Sequence, residues 1–190
     1  FVHVATSPLQ RCRETAQPLL EAHGLTAQVH EGLGECHYGA WTGRPLSELA
    51  DEPLWRVVQD QPSRATFPDG LEHPGESIRS MADRAVAAVR EIDAAVTAEH
   101  GEHAVWAAVS HGDVIKSVLA DATATALDDF QRLHVDPASV SVVLYTATRP
   151  MLLRSNDTGR SALTPHRPKG DTPPAGDAPV GGGAGLGSTP

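Results

Sequence analysis

The most informative part of the sequence runs from residue 104 to residue 119 and reads Ala-Val-Trp-Ala-Ala-Val-Ser-His-Gly-Asp-Val-Ile-Lys-Ser-Val-Leu. Its first six residues are rich in alanine and valine, which is typical of a short buried β-strand. Its last six residues place apolar side chains at helical spacing, which predicts an α-helix. His111 therefore lies at a strand-to-helix turn, where unpaired backbone N–H groups and the helix dipole favour an anion. Gly112 allows close approach of a ligand, so the stretch predicts a place to hold a phosphoryl group.

The N-terminal residues predict the same order of strand, turn and helix. Residues 1–5 predict a strand, and an apolar stripe then predicts a helix with Ser7 as its N-cap and Pro8 as its first residue. Arg11 lies in the first turn of that helix, where a cation opposes the helix dipole. A phosphate at the strand ends is one candidate partner for Arg11. The alternatives are a solvated side chain or an ion pair with Glu14.

Strands and helices alternate along the rest of the chain. Further strands are predicted at 25–30, 140–145 and 151–153, and further helices at 47–59, with a break at Pro53, and at 76–100. The segment 61–75 predicts a loop and a candidate lid. This order is typical of an α/β domain around a largely parallel sheet, in which ligands bind beyond the carboxyl ends of the strands. We therefore expect Arg11 and His111 to converge at that edge.

Composition narrows the class of protein. Residues 1–155 predict one α/β domain, whereas residues 156–190 are rich in Pro and Gly and predict a disordered tail. The net charge of −9 argues against nucleic-acid binding, and no apolar run is long enough for a transmembrane helix. Cys12 and Cys36 are typical of free thiols in a reducing compartment, which indicates a cytoplasmic protein. Cys36 and His37 match no metal-ligand spacing, so no metal site is expected.

Four motifs carry a family resemblance, and they occur in the family's order. Residues 7–16 resemble the second signature of the histidine phosphatase (phosphoglycerate mutase-like) superfamily, residues 33–43 its acidic loop, residues 74–77 the start of its long helix, and residues 109–113 its second histidine motif. Residues 130–142 further resemble an actinobacterial branch of phosphomutases and phosphatases. The resemblance implies a three-layer α/β/α sandwich with a mostly parallel central sheet.

The resemblance also implies a metal-independent mechanism on a small phosphorylated metabolite. In this family a histidine of an N-terminal Arg-His-Gly motif attacks the phosphoryl group and becomes phosphohistidine. By resemblance Arg11 binds phosphate, Glu35 protonates the leaving oxygen, and His111 contacts the phosphoryl group together with the backbone N–H of Gly112.

Four other residues are candidate substrate contacts. His37 and Tyr38 follow the matched glutamate in the acidic loop, and they either touch substrate or pack the loop. Glu76 and Ser77 open the long helix, where a carboxylate near the positive end of the dipole has a structural explanation as well.

The chain departs from the family at one motif. Its 190 residues contain no Arg-His-Gly, so the nucleophile and one phosphate-binding arginine are missing, and by resemblance the sheet lacks its first strand. We expect the chain as given to be inactive in hydrolysis, and the complete protein to hydrolyse phosphomonoesters. The alternatives are a phosphomutase, or a catalytically dead homologue that binds a phosphorylated ligand.

Overall fold

The computed structural model describes residues 1–159; most of the predicted tail, from residue 160 onward, lies outside the described residues. None of the described helices is long and apolar enough to cross a membrane. Four short 3₁₀ turns accompany the regular elements. In chain order these elements are β1 His3–Thr6, α1 Gln10–His23, β2 Ala27–Val29, α2 Leu46–Leu49, α3 Pro53–Asp60, α4 Ile78–His100, β3 Trp106–Val109, α5 Gly112–Ala122, β4 Val140–Tyr145 and β5 Pro150–Asp157.

The central sheet has three parallel strands in the order β2-β1-β3. Helix α1 packs against β1 and β3, and α4 packs against the sheet through a buried apolar cluster that includes Ala5, Val89 and Ile92. A second cluster joins α3, α4 and α5 around Trp41, Trp55 and Phe130. The predicted α/β class with a parallel sheet between helices is confirmed.

The last two strands form a separate antiparallel hairpin, β4 with β5. The second of them is longer than the predicted strand at 151–153, because its pairing with β4 continues to Asp157. Large apolar side chains on both strands are exposed, among them Val140 and Leu153. Within residues 1–159, β3 and β4 are not paired with each other.

The start of α1 differs from the prediction. The helix begins at Gln10 with Leu9 as its N-cap, so Ser7 and Pro8 precede it. The Ser7 hydroxyl accepts a hydrogen bond from the Leu9 N–H at 3.2 Å and also contacts His111, and no side chain caps the first turn of α1. At the other end, Gly24 takes the left-handed conformation that ends a helix, as expected.

The segment 61–75, a candidate lid from sequence, is packed against the body of the domain. Phe67 is buried, and short bridges join Thr66 to Ser77 and Tyr38 to Gly75. Gly39 has a φ of +53°, and a Cβ there would lie 2.0 Å from the Pro68 carbonyl oxygen. Only glycine fits this close approach, which fastens the segment to the acidic loop.

Helix α5 buries part of its predicted apolar stripe together with polar residues. Val114 and Leu119 are buried as predicted and Ile115 and Val118 are only partly buried, whereas the polar residues Asp113, Lys116 and Ser117 are also buried. The Lys116 Nζ lies 3.5 Å from Asp113 Oδ1 and donates to Gln131 Oε1 at 2.8 Å. The buried cation is therefore compensated by an anion and an amide, which explains how a lysine occupies a core position.

Candidate active site

The parallel register brings two turns together at the carboxyl edge of the sheet. Thr6 at the end of β1 lies opposite Val109 at the end of β3, and the Ser7 N–H donates to the Val109 carbonyl at 2.9 Å. The residues that follow each strand therefore meet, and Ser7 Oγ lies 2.7 Å from His111 Nε2.

Arg11 reaches the same point from the first turn of α1. Its Nη2 lies 2.9 Å from His111 Nδ1. The expected convergence of Arg11 and His111 is present in the structure. The alternative ion pair between Arg11 and Glu14 is not formed, since the Arg11 guanidinium contacts His111 and Glu35 and Glu14 accepts from Gln10.

Glu35 enters the site on the loop after β2, which is held at several points. The His30 N–H donates to the Thr6 carbonyl, and the Ser110 hydroxyl donates to the Leu33 carbonyl at 2.7 Å. Arg84 of α4 donates to the carbonyl oxygens of residues 32, 34 and 35 and pairs with Glu76. One guanidinium thus fixes the backbone on both sides of the Glu35 side chain.

The two oxygen atoms of the Glu35 carboxyl group contact a backbone N–H group, an arginine and a histidine. Its Oε1 accepts from the Cys36 N–H at 3.0 Å, and its Oε2 lies 3.5 Å from Arg11 Nη2 and 3.5 Å from His111 Nδ1. The Glu35 side chain is 14% exposed, whereas Arg11 is 61% exposed. A mostly buried carboxyl group therefore lies beside an arginine that is exposed to solvent.

Burial controls the protonation of this pair. Burial, with a smaller contribution from the Asp113 carboxylate, raises the pKa of Glu35 to about 7 against the opposing effects of the Cys36 N–H and Arg11. Burial and the nearby guanidinium groups of Arg11 and Arg84 lower the pKa of His111 to about 4. Near neutral pH His111 is therefore neutral and Glu35 is partly protonated, so their contact is not a fixed ion pair.

A buried polar layer lies behind the site. The Tyr38 hydroxyl donates to Asp113 Oδ2 at 3.2 Å, and Asp113 is also next to Lys116. Burial and the Asp113 carboxylate raise the pKa of Tyr38, so the phenol stays protonated and remains a donor. This layer places a negative charge close enough to Glu35 to favour its protonated form.

The remaining candidates are more peripheral. His37 is exposed, and its backbone exchanges hydrogen bonds with Glu76. Glu76 pairs with Arg84, and Ser77 caps α4 by accepting from the Ser80 N–H. Gly112 is the first residue of α5, next to His111. The structure gives Glu76 and Ser77 the helix-start role that the sequence also allowed.

Cys12 and Cys36 are both free and buried, and burial raises the pKa of each thiol. Among residues 1–159, no group of three or more His, Cys, Asp or Glu side chains is arranged to hold a metal ion.

The sequence analysis did not predict that three residues, Ser7, Arg84 and Lys116, contribute to the site. Ser7 was expected to cap a helix, and Lys116 lies in an apolar run that concealed its buried charge. Arg84 had a detectable pattern, since it borders the apolar stripe of α4 between Met81 and Ala85.

The structure thus defines an α/β protein in which an arginine, a histidine and a mostly buried carboxylic acid meet at the carboxyl edge of a parallel sheet. The family model for "Histidine phosphatase superfamily (branch 1)" matches residues 1–158, and the chain belongs to this superfamily.

The chain is also similar to curated relatives and to solved structures. The chain is 31% identical over 164 residues to the "Bifunctional protein Rv2228c" of Mycobacterium tuberculosis, covering 82% of this chain and 41% of that protein. It therefore spans less than half the length of the curated relatives it matches. The native structure of mycobacterial glucosyl-3-phosphoglycerate phosphatase Rv2419c is similar, with a TM-score of 0.68, 25% identity, and coverage of 83% of this chain and 77% of that one. Bacillus stearothermophilus YhfR shares the fold, with a TM-score of 0.69, 22% identity, and coverage of 83% and 74%.

Proposed function

We propose that the complete protein hydrolyses small phosphomonoesters through a phosphohistidine. The observation that carries this proposal is the position of the Glu35 Oε2, 3.5 Å from both Arg11 Nη2 and His111 Nδ1. A carboxylic acid with a pKa near neutrality, beside two groups that bind an oxyanion, has the properties required of a general acid for phosphoryl transfer.

The residues take the following roles. Arg11 and His111 bind the phosphoryl oxygens, and the N-terminus of α5 adds the backbone N–H of Gly112. A histidine nucleophile forms the P–N bond as the ester P–O bond breaks, and Glu35 gives its proton to the leaving alcohol oxygen. Water then attacks phosphorus and gives a proton to the Glu35 carboxylate, while the P–N bond breaks and phosphate is released.

The nucleophile is the missing part of this mechanism. The 190 residues contain no Arg-His-Gly, and His111 is held by Ser7 and Arg11 in a supporting position. We therefore expect the 190-residue chain alone to bind phosphate without turnover. The second candidate function is therefore phosphate binding without catalysis. It applies if the complete protein has no histidine nucleophile.

The test compares the hydrolysis of p-nitrophenyl phosphate by the complete protein with that by the 190-residue chain. We expect turnover only by the complete protein. Glu35→Gln should lower the rate at least tenfold and His111→Ala by more, because they remove the acid and an oxyanion contact. Glu31→Gln, which changes an exposed carboxyl of the same loop, is the matched control and should keep the rate.

Two results would contradict the proposal. Turnover by the 190-residue chain would show that the nucleophile lies within it, and full rates in both site variants would remove Glu35 and His111 from the mechanism. A burst of phosphoenzyme that returns its phosphoryl group to substrate instead of water would favour the phosphomutase alternative.

A further inference from the structure

The imidazole of His111 has a defined proton position in the free pocket. Arg11 lies 2.9 Å from Nδ1, and a guanidinium can only donate hydrogen bonds. The Nδ1 atom must therefore accept, and in the neutral ring the single proton lies on Nε2. Its partner there is Ser7 Oγ at 2.7 Å, which accepts from Nε2–H.

An anion in the proposed phosphoryl site needs the opposite arrangement. An unprotonated phosphoryl oxygen beside Arg11 and His111 has only lone pairs to offer, so it requires Nδ1 to be a donor. A neutral His111 can provide that donor only by moving its proton from Nε2 to Nδ1. The Nε2 atom then becomes an acceptor and requires a donor in turn.

Ser7 can supply that donor without moving its heavy atoms. Its hydroxyl oxygen is fully buried and accepts from the Leu9 N–H at 3.2 Å, which occupies one lone pair. The hydroxyl also faces His111 Nε2 at 2.7 Å, and the Cys12 sulfur lies 3.5 Å from the same Nε2 while its thiol donates to the Ser110 carbonyl at 3.5 Å. Rotation about the Cβ–Oγ bond turns the hydroxyl proton towards Nε2, because a hydroxyl can accept or donate.

We propose that Ser7 is a positioning residue whose hydroxyl rotates when an anion binds, so that His111 changes from the Nε2–H tautomer to the Nδ1–H tautomer. This inference rests on the proposed phosphoryl site. It keeps the ring neutral throughout, and one proton leaves Nε2 as one is gained at Nδ1, with no change in net charge. Burial and the neighbouring guanidinium groups, which lower the pKa of His111, oppose the charged alternative.

The experiment is ¹⁵N NMR of the histidine side chains in the full 190-residue chain, with and without inorganic phosphate, at neutral pH. His111→Gln assigns the resonances. In the free chain we expect the proton on Nε2, and in the phosphate-saturated chain on Nδ1. A phosphate-bound His111 that keeps Nε2–H, or that carries protons on both nitrogens, would overturn the switch.

Variants test whether Ser7 is the residue responsible. Ser7→Ala should bind phosphate about tenfold more weakly and keep the proton on Nε2, since nothing then donates strongly to that nitrogen. Ser117→Ala removes another buried hydroxyl, one that donates to the Asp113 carbonyl, and should behave like the wild-type chain. A normal tautomer change in Ser7→Ala would overturn the role of Ser7.

The outcomes separate this inference from the proposed function. Phosphate binding without a change of tautomer overturns only the switch. No phosphate binding at any concentration overturns both the proposed site and the switch. The wild-type comparison needs no variant, so the tautomer change remains falsifiable even if Ser7→Ala does not fold.

Discussion

Replacing Glu35 with glutamine should stabilise the fold, by an amount that grows with pH. The unfolded glutamate ionises near its usual pKa of 4.5, whereas burial raises the pKa of Glu35 to about 7 in the folded chain. Between these values the folded state holds a proton that the unfolded state has released, so the free energy of unfolding falls as pH rises. Glutamine is nearly isosteric, keeps an oxygen for the Cys36 N–H, and carries no charge to bury.

The magnitude follows from the two pKa values. Linkage at about 1.4 kcal/mol per pH unit gives a stabilisation by Glu35→Gln of about 1 kcal/mol at pH 5 and about 3 kcal/mol at pH 8. The assay is urea denaturation at both pH values. Glu31→Gln, on the same loop but exposed, is the control and should change the free energy of unfolding at neither pH. An equal effect of Glu35→Gln at both pH values, or a destabilisation that increases with pH, would refute the burial argument.

Three further predictions concern the surroundings of Glu35. The His111 ring should titrate by NMR near pH 4, and because its pKa is lowered on folding its own contribution to the free energy of unfolding should fall as pH falls from 6.5 towards 4, opposite in sign to that of Glu35; a midpoint near 6.5 would contradict its burial. Lys116→Met should destabilise the fold by about 3–5 kcal/mol in urea, since it leaves the Asp113 carboxylate buried without its cation, and a neutral effect would refute that pairing. Arg84→Gln should accelerate amide hydrogen exchange in residues 32–37, whereas Arg90→Gln, which breaks an ion pair at the surface, should leave that exchange unchanged.

The sequence predicted the parts of the fold that depend on local periodicity. The strand before Ser7, the long helix that ends at Gly101, and the strand-turn-helix around His111 all follow from apolar spacing and helix-ending residues. Parallel strands also bring their carboxyl ends to one edge, so the approach of Arg11 to His111 could be predicted from the sequence.

Contacts between distant segments could not be predicted in this way. Lys116 looks like a solvated residue in an apolar helix until its partners Asp113 and Gln131 are placed. Arg84 binds carbonyl oxygens about fifty residues away along the chain, and no sequence period encodes that distance. The hydroxyl of Ser7 could cap a helix or form a hydrogen bond with an imidazole. The register of β1 with β3, which brings Ser7 to His111, determines which of these interactions forms.

Titration of the 190-residue chain with inorganic phosphate, followed by NMR, shows whether Arg11, Glu35 and His111 form a phosphoryl site. We expect saturable shifts at these three residues, loss of binding in Arg11→Ala, and no loss in Arg13→Ala, which removes an exposed arginine from the same helix. Equal weakening by the two arginine variants, or shifts confined to surfaces away from the carboxyl edge of the sheet, would contradict the claim that this pocket binds a phosphoryl group.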